Sequence, residues 1–424
     1  MKKRTMVIGL GPDYNYDINN HEVWSNNNTK YASNHGASFI SRTLIDYFNA
    51  DFIDNFSDIN NYREKYDLCV IAFATHITER RDVSRYADFI KALRIKTVAF
   101  SLGIQDYSAS SYAVSTIHPS LRELLDYVIA SSGQIGVRGP HTASVLIKAG
   151  YRPENIIRFG CPTIFSPLNR NLKIQKKEDF KKPMIVFHRT MAELNKELLG
   201  GAPLLGQDFL DELVFREDVN EDHNLKKIEL KKYEAHKNGA YTLRKIKENG
   251  IFVREYNDWL EEIKKSDFVL GARLHGCLAA ISLGIPAVMI ARDIRVQEIA
   301  EFYKIPCIKY ENVGNLTIKE IYKDADFTAF NELYPHRYDN FLKLMDDLQI
   351  VDHLSFNADV PENYWFSKAD VNADVHIIYD ELNDLSQRIN QIDSKLEKTN
   401  KKVSKLITLI KKLPGLNVIK GLLK

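Results

Sequence analysis

Residues 267–290 leave this chain little freedom of fold. Residues 268–272 (Phe-Val-Leu-Gly-Ala) form an almost wholly apolar run, as in a strand buried on both faces of a parallel sheet. Residues 276–283 are small or apolar and are stopped by Gly284 and Pro286, the pattern of a buried helix. Residues 287–290 are a second apolar run. Strand, helix and strand in so short a span specify a βαβ unit, with Arg273, Leu274 and His275 at the turn where the first strand feeds the helix. Ligands of open α/β sheets bind beyond the carboxyl ends of strands, beside helix N-termini that attract anions. An arginine and a histidine two residues apart at such a turn predict an anion site.

The same alternation runs through the preceding chain. Residues 6–10, 68–74 and 97–102 read as strands, with helices over 38–48, 79–93 and 121–130. The Asn-, Asp- and Tyr-rich loop after the first strand is either solvated surface or a contact for a sugar acceptor. Residues 136–138 end another strand; Pro140 suits a helix first turn and Gly150 its stop. Residues 156–159, followed by Gly160-Cys161-Pro162, close a first domain, and the lysine-rich span 167–182 reads as a link. A second α/β unit begins at 184–187, with His188 and Arg189 directly after it. Residues 191–250 are the least legible: a loop at 200–203 and a charged helical stretch over 225–247. A strand at 251–254 and a helix at 257–265 lead into the opening unit. Such alternation specifies a doubly wound sheet.

The C-terminal segment follows another period. Val375, Ile378, Leu382, Leu385, Ile389, Ile392, Leu396, Thr399, Val403, Leu406, Ile410 and Leu413 recur at spacings of three and four, a heptad seam. So narrow a seam predicts self-association into a coiled-coil homo-oligomer, dimer or trimer. Residues 414–424 are a short amphipathic basic tail, suited to peripheral contact with an anionic membrane surface. The resulting domain plan is 1–170 for an N-terminal Rossmann-like domain, 171–335 for a second one, 336–374 for a return segment, 375–413 for the coiled coil and 414–424 for the tail.

Composition narrows the classes further. A chain of 424 residues, 44% hydrophobic, holds two domains and accessories. A net charge of +2 points to no polyanion, and no nucleic-acid partner is expected. Cys69, Cys161, Cys277 and Cys307 are scattered without a Cys/His cluster, so buried thiols are expected rather than a metal site. The run at residues 6–10 is too short for a signal peptide, and no stretch reaches the ~20 apolar residues of a membrane span. A cytoplasmic protein, free or peripheral at the inner face of the cell membrane, is the expectation.

The motif Arg273-Leu274-His275, the small-residue helix after it and the turn Gly284-Ile285-Pro286 resemble the polysaccharide pyruvyl transferase family. A second match is Ile135-Gly136-Val137-Arg138-Gly139-Pro140-His141-Thr142, running on to Phe159-Gly160-Cys161-Pro162-Thr163. Where the family carries a Gly-Asp pair this chain has Gly36-Ala37, without the acidic residue. The likeness covers roughly residues 1–335 and is patchy between 171 and 249. It implies two Rossmann-like domains facing a cleft, the arrangement called GT-B. It also implies transfer of an enolpyruvyl unit from phosphoenolpyruvate to a sugar of a cell-surface polysaccharide or its lipid-linked precursor, with no further cofactor and no metal.

That reaction fixes what a site must supply. Phosphoenolpyruvate carries a phosphate and a carboxylate, which call for an arginine fork and a helix N-terminus. Protonating its methylene carbon calls for a general acid near neutral pKa. His275 is the candidate acid, Arg273 the candidate catalytic and donor-binding cation, and Arg189, Gly276 and Arg138 further donor-binding candidates. Each has a plainer alternative: Arg273 paired with a core carboxylate, His275 capping its helix, Arg138 bracing its turn, and His188 pointing inward instead of Arg189. Two other functions remain open from sequence: a GT-B glycosyltransferase taking a nucleotide sugar, and a non-catalytic coiled-coil scaffold.

Overall fold

Short apolar runs pair in parallel to build two sheets in the computed structural model, which describes residues 4–13, 34–105, 117–220 and 222–365, with Leu396 and Thr399. The first holds β1 (Thr5–Gly9), β2 (Asp51–Phe52), β3 (Leu68–Ala72) and β4 (Lys96–Phe100) in the order β2-β1-β3-β4. β5 (Ile135–Val137) and β6 (Ile156–Arg158) pair with each other, and a parallel bridge from Leu102 to Val137 joins them to the β4 side. β1 and β3 are buried along their whole length because helices cover both faces, which is why they read as unbroken apolar runs.

The second sheet holds β7 (Pro183–Val186), β8 (Leu204–Leu205), β9 (Gly250–Ile251), β10 (Phe268–Gly271), β11 (Ala287–Ala291) and β12 (Cys307–Lys309). Its order is β12-β11-β10-β7-β8-β9, every pair parallel. The chain leaves β7 towards β8 and β9, then crosses back to β10 on the other side. Strand order therefore reverses between β7 and β10, and a crevice opens at their carboxyl ends. The first sheet has the same reversal between β1 and β3.

One hydrophobic cluster runs from Val7, Phe39 and Tyr47 through Phe165 to Leu270 and Leu278, so the inner faces of both sheets share a core. A second cluster, around Ile71, Ile90 and Leu125, fills the outer face of the first sheet. The helix Thr328–Asp347 returns to the first sheet's side, stacking Phe341 on Phe165 at 5.1 Å and packing it on Tyr47 at 5.2 Å. His353 then meets Thr5 through a 3.0 Å hydrogen bond.

Three sequence expectations change in the structure. The charged stretch 225–247 is two helices, Asn224–Glu234 and Gly239–Asn249; a Cβ at Gly239 would lie 1.8 Å from the Tyr233 carbonyl oxygen, so only glycine permits that break. The strand expected at 251–254 shrinks to β9. Cys307, expected buried, lies exposed on edge strand β12, whereas the other three thiols are buried. The coiled-coil seam over 375–413, the tail over 414–424 and most of the polar loop after β1 lie outside the described residues. Leu396 and Thr399 are helical. Among the described residues no helix is long and apolar enough to cross a membrane.

Candidate active site

The β7/β10 crevice collects its charged side chains from strand ends. After β10 comes Arg273, in extended conformation as N-cap of the helix Leu274–Ser282. No side chain caps that helix, so its first turn keeps the unfilled amide donors common to helix N-termini. Glycine at 276 is a steric requirement: a Cβ there would sit 2.2 Å from a γ-carbon of Val186 on β7. Gly276 thus lets the helix press onto the sheet, whether or not its amide also meets a ligand.

Arg273 is held from two sides. Its Nε donates to the Phe187 carbonyl at 3.2 Å, and its Nη2 lies 2.5 Å from Asp208 Oδ2 and 2.9 Å from Asp211 Oδ2. Nη1 makes no hydrogen bond among the described residues. Burial alone would lower the Arg273 pKa; the two carboxylates more than offset that and hold the guanidinium charged. Arg273 therefore presents one free nitrogen rather than a two-nitrogen fork.

His275 sits where the two halves of the molecule meet. Its Nε2 is 3.6 Å from Sγ of Cys161, which follows β6. Its ring lies against Gly36 at the start of the helix His35–Phe48; a Cβ on Gly36 would approach His275 Cβ to 2.7 Å and Nδ1 to 2.8 Å. Glycine at 36 therefore makes room for the histidine. Burial, then the charges of Arg138 and Arg295, push the His275 pKa well below its ordinary value, which keeps the ring neutral near neutral pH.

Arg138, just after β5, is 2% exposed. Its Nε donates to the Ser101 carbonyl at 3.1 Å and lies 3.3 Å from Ser101 Oγ, while its buried Nη2 has no hydrogen-bond partner among the described residues. Burial, followed by nearby Arg295, lowers its pKa against the opposing pull of Cys161 and Glu298. Bracing of its own turn and an unspent donor are both present in one side chain.

Arg189 turns away from this group, pairing with Glu229 on the helix Asn224–Glu234. His188 faces inward instead. Its Nδ1 accepts from Arg292 Nη1 at 2.9 Å and from the Thr190 amide at 3.2 Å, and Arg292 also donates to Thr190 Oγ1 at 3.1 Å. Burial, then Arg273, Arg292, Arg189 and Arg295 in turn, push His188 well below the ordinary histidine range. Arg292 and Arg295 follow β11, and Asp293 between them caps the helix Ile294–Tyr303 and accepts from Nε and Nη2 of Arg295, at 3.1 and 2.6 Å.

The structure brings Arg138 close to His275, two residues past Arg273, and sets His188, Arg292, Arg295, Asp208 and Asp211 around the same turn. A strand-end rule applied to β11 as well as β10 would have found the two arginines. No signal pointed to the aspartates, which lie in the illegible span. Among the described residues no group of histidine, cysteine or carboxylate side chains has metal-binding geometry.

The model of the polysaccharide pyruvyl transferase family matches residues 12–294, two thirds of the chain and every element just described from β5 to β11. The chain belongs to that family. A polysaccharide pyruvyl transferase is an enzyme, so this cationic crevice is its candidate active site. No curated protein matches the chain. Solved structures similar to it include a co-structure of S. aureus MnaA with UDP, at 12% identity and a TM-score of 0.40, covering 86% of this chain and 100% of that one. A UDP-GlcNAc 2-epimerase of Methanocaldococcus jannaschii in complex with UDP-GlcNAc and UDP is 15% identical, with a TM-score of 0.37 and coverage of 76% and 91%. Anabaena Alr3699/HepE in complex with UDP is 10% identical, with a TM-score of 0.38 and coverage of 82% and 97%.

Proposed function

We propose that this pyruvyl transferase takes phosphoenolpyruvate as donor and forms a pyruvate ketal on a sugar of a bacterial cell-surface polysaccharide or its lipid-linked precursor. One observation carries the reading: Arg138, buried with one nitrogen unbonded among the described residues, and Arg295, past β11, act on a histidine that lies two residues after Arg273 in the first turn of its helix. A small ligand with two anionic groups suits such a site. The phosphate fits the helix N-terminus with Arg273 Nη1, and Arg138 and Arg295 suit the carboxylate.

In the reaction a proton adds to the methylene carbon and C2 becomes oxocarbenium-like. One acceptor hydroxyl attacks C2, the C2–phosphate oxygen bond breaks to release phosphate, and a second hydroxyl closes the ketal. Both hydroxyl protons are released and one enters the new methyl group. His275 is the proposed proton donor. The donor's negative charge offsets Arg138 and Arg295 and so raises the histidine pKa at the moment the proton is needed.

A nucleotide sugar would occupy the same crevice, so donor choice is the test. Thermal-shift and calorimetric screening should register phosphoenolpyruvate, and Arg138→Met should weaken it roughly ten- to a hundredfold, the ~1.5–3 kcal/mol of a charge-assisted bond. Binding of UDP-sugars alone would overturn the reading. Self-association through residues 375–413, near the inner membrane face where a lipid-linked acceptor would be met, belongs to the same proposal. Light scattering checks it, since a chain truncated after residue 367 should have the monomer mass.

A further inference from the structure

The span 191–250 carries no motif, yet it delivers two carboxylates to the arginine of the Arg273-Leu274-His275 motif. Asp208 is N-cap of the helix Phe209–Phe215, and Asp208 and Asp211 form a reciprocal capping box. The Asp208 carboxylate accepts from the Asp211 amide at 2.9 Å. Asp211 Oδ2 accepts from the amides of Gln207 at 3.0 Å and Asp208 at 3.2 Å. A structural cap would end there. Here both carboxylates also converge on Nη2 of Arg273, at 2.5 and 2.9 Å, where Asp211 is 2% exposed.

Two carboxylates on one guanidinium, Asp211 buried and Asp208 half-buried, leave one negative charge in excess when both are ionised. The other groups facing the pair do little to balance it. Tyr233, on the helix Asn224–Glu234, has a buried hydroxyl with no hydrogen-bond partner, and the pair raises its pKa further. His35 feels Asp208 but is held neutral by burial, its pKa lowered to about 4. His188, past β7, is neutral as well, and neighbouring Arg189 is spent on Glu229. Behind the pair, Glu212 is engaged by Arg216 and Arg254.

We propose that Asp208 and Asp211 are positioning residues for donor capture: the pair fixes Arg273 through one nitrogen, leaves Nη1 for the donor, and takes up a proton when the donor's negative charge arrives. The proposal rests on the reading of this crevice as the donor site. Burial, only partly countered by Arg273 and reinforced by Asp208, pushes the Asp211 carboxyl up to about 7, so the proton is exchangeable near neutrality. An anion placed beside Arg273 competes with the carboxylates for its charge and raises that value further. Donor affinity then becomes linked to pH through a residue that never touches the donor.

Calorimetric titration of the full chain with phosphoenolpyruvate at pH 8, in two buffers of different ionisation enthalpy, reads the linkage directly. The donor phosphate, with a second pKa of about 6, is fully ionised there. The wild type should take up a large fraction of one proton, and its affinity should fall by up to about tenfold per pH unit above pH 7. Asp211→Asn keeps an oxygen for both amides and for Arg273; it should lower the uptake and flatten the pH dependence, and in a His275→Gln background, which removes the uptake expected at the histidine, it should abolish what remains. If that variant does not fold, Asp208→Asn, which keeps an N-cap acceptor, should lower the uptake by leaving one carboxylate per guanidinium. Phosphoenolpyruvate bound with no proton uptake, or with uptake equal in a folded variant, overturns the proposal alone. A UDP-sugar bound in place of phosphoenolpyruvate, with uptake that Asp211→Asn lowers, overturns the donor reading alone. Binding of neither overturns both.

Discussion

At the residue scale the chemistry turns on His275, whose neighbours are cations and a thiol rather than a carboxylate. Ala37 stands where the family carries an acid, and Arg138 and Arg295 add to burial in depressing the imidazole pKa well below 6.5. A general acid must be protonated, and in the free enzyme that fraction is lost as pH rises through the depressed value. With an anionic donor bound the same loss occurs at higher pH. The descending limb of kcat against pH should therefore lie above that of kcat/KM, which reports the free enzyme. His275→Gln should lose on the order of 10²–10⁴ in rate, and, made in an Asp211→Asn background that removes the aspartate's own pH linkage, it should erase the offset. Coincident limbs in the wild type, or an unchanged offset in the variant, would exclude His275 as the acid. Sequence could mark Arg273 and His275 because strand-to-helix turns have a local signature. It could not show that Asp208 and Asp211 spend one nitrogen of Arg273, because contacts across 62 residues have none.

At the element scale, legibility followed burial. β1, β3, β10 and β11 are covered on both faces, so their sequences are unbroken apolar runs and were found nearly to the residue. β8 and β9 are two residues each and sit among short, charged helices, leaving no period to detect. The helix Leu274–Ser282 makes this dependence testable. A Cβ at Gly276 would lie 2.2 and 2.9 Å from the two γ-carbons of Val186, closer than van der Waals contact. Gly276→Ala should cost about 1–3 kcal/mol by overpacking and disturb the Arg273 turn. Val186→Ala removes both γ-carbons, so the double variant should recover much of that loss while each single variant is destabilised. Denaturation midpoints of the four proteins complete the cycle. Strict additivity would mean that helix-to-strand packing is not why glycine stands there.

At the scale of the whole molecule, burial of imidazoles across both sheets makes stability depend on acid. His35, His76, His188 and His275 all have pKa values pushed below 6.5 by burial, His35 to about 4. The unfolded chain protonates each near pH 6.5. Below that value the unfolded state gains four protons that the folded state refuses, so stability falls as pH falls. Asp211 and Glu298 act in the opposite sense, because burial raises their carboxyl pKa values and the folded state keeps protons the unfolded chain has released. The four histidines outnumber these two carboxyls, so the unfolded chain binds more of these protons below pH 6.5 and stability falls as pH falls. Urea midpoints at pH 7.5, 6.5 and 5.5 should hold nearly level over the first step and drop sharply over the second. His76 tests the attribution: it is 4% exposed, packs on Phe73 and takes the Ala74 amide on Nδ1, and burial followed by the charge of Arg81 lowers its pKa. His76→Asn should reduce the slope by about one proton, whatever it does to stability at pH 7.5. A midpoint that stays level down to pH 5.5, or a slope untouched by that substitution, would mean that these histidines accept protons in the folded protein.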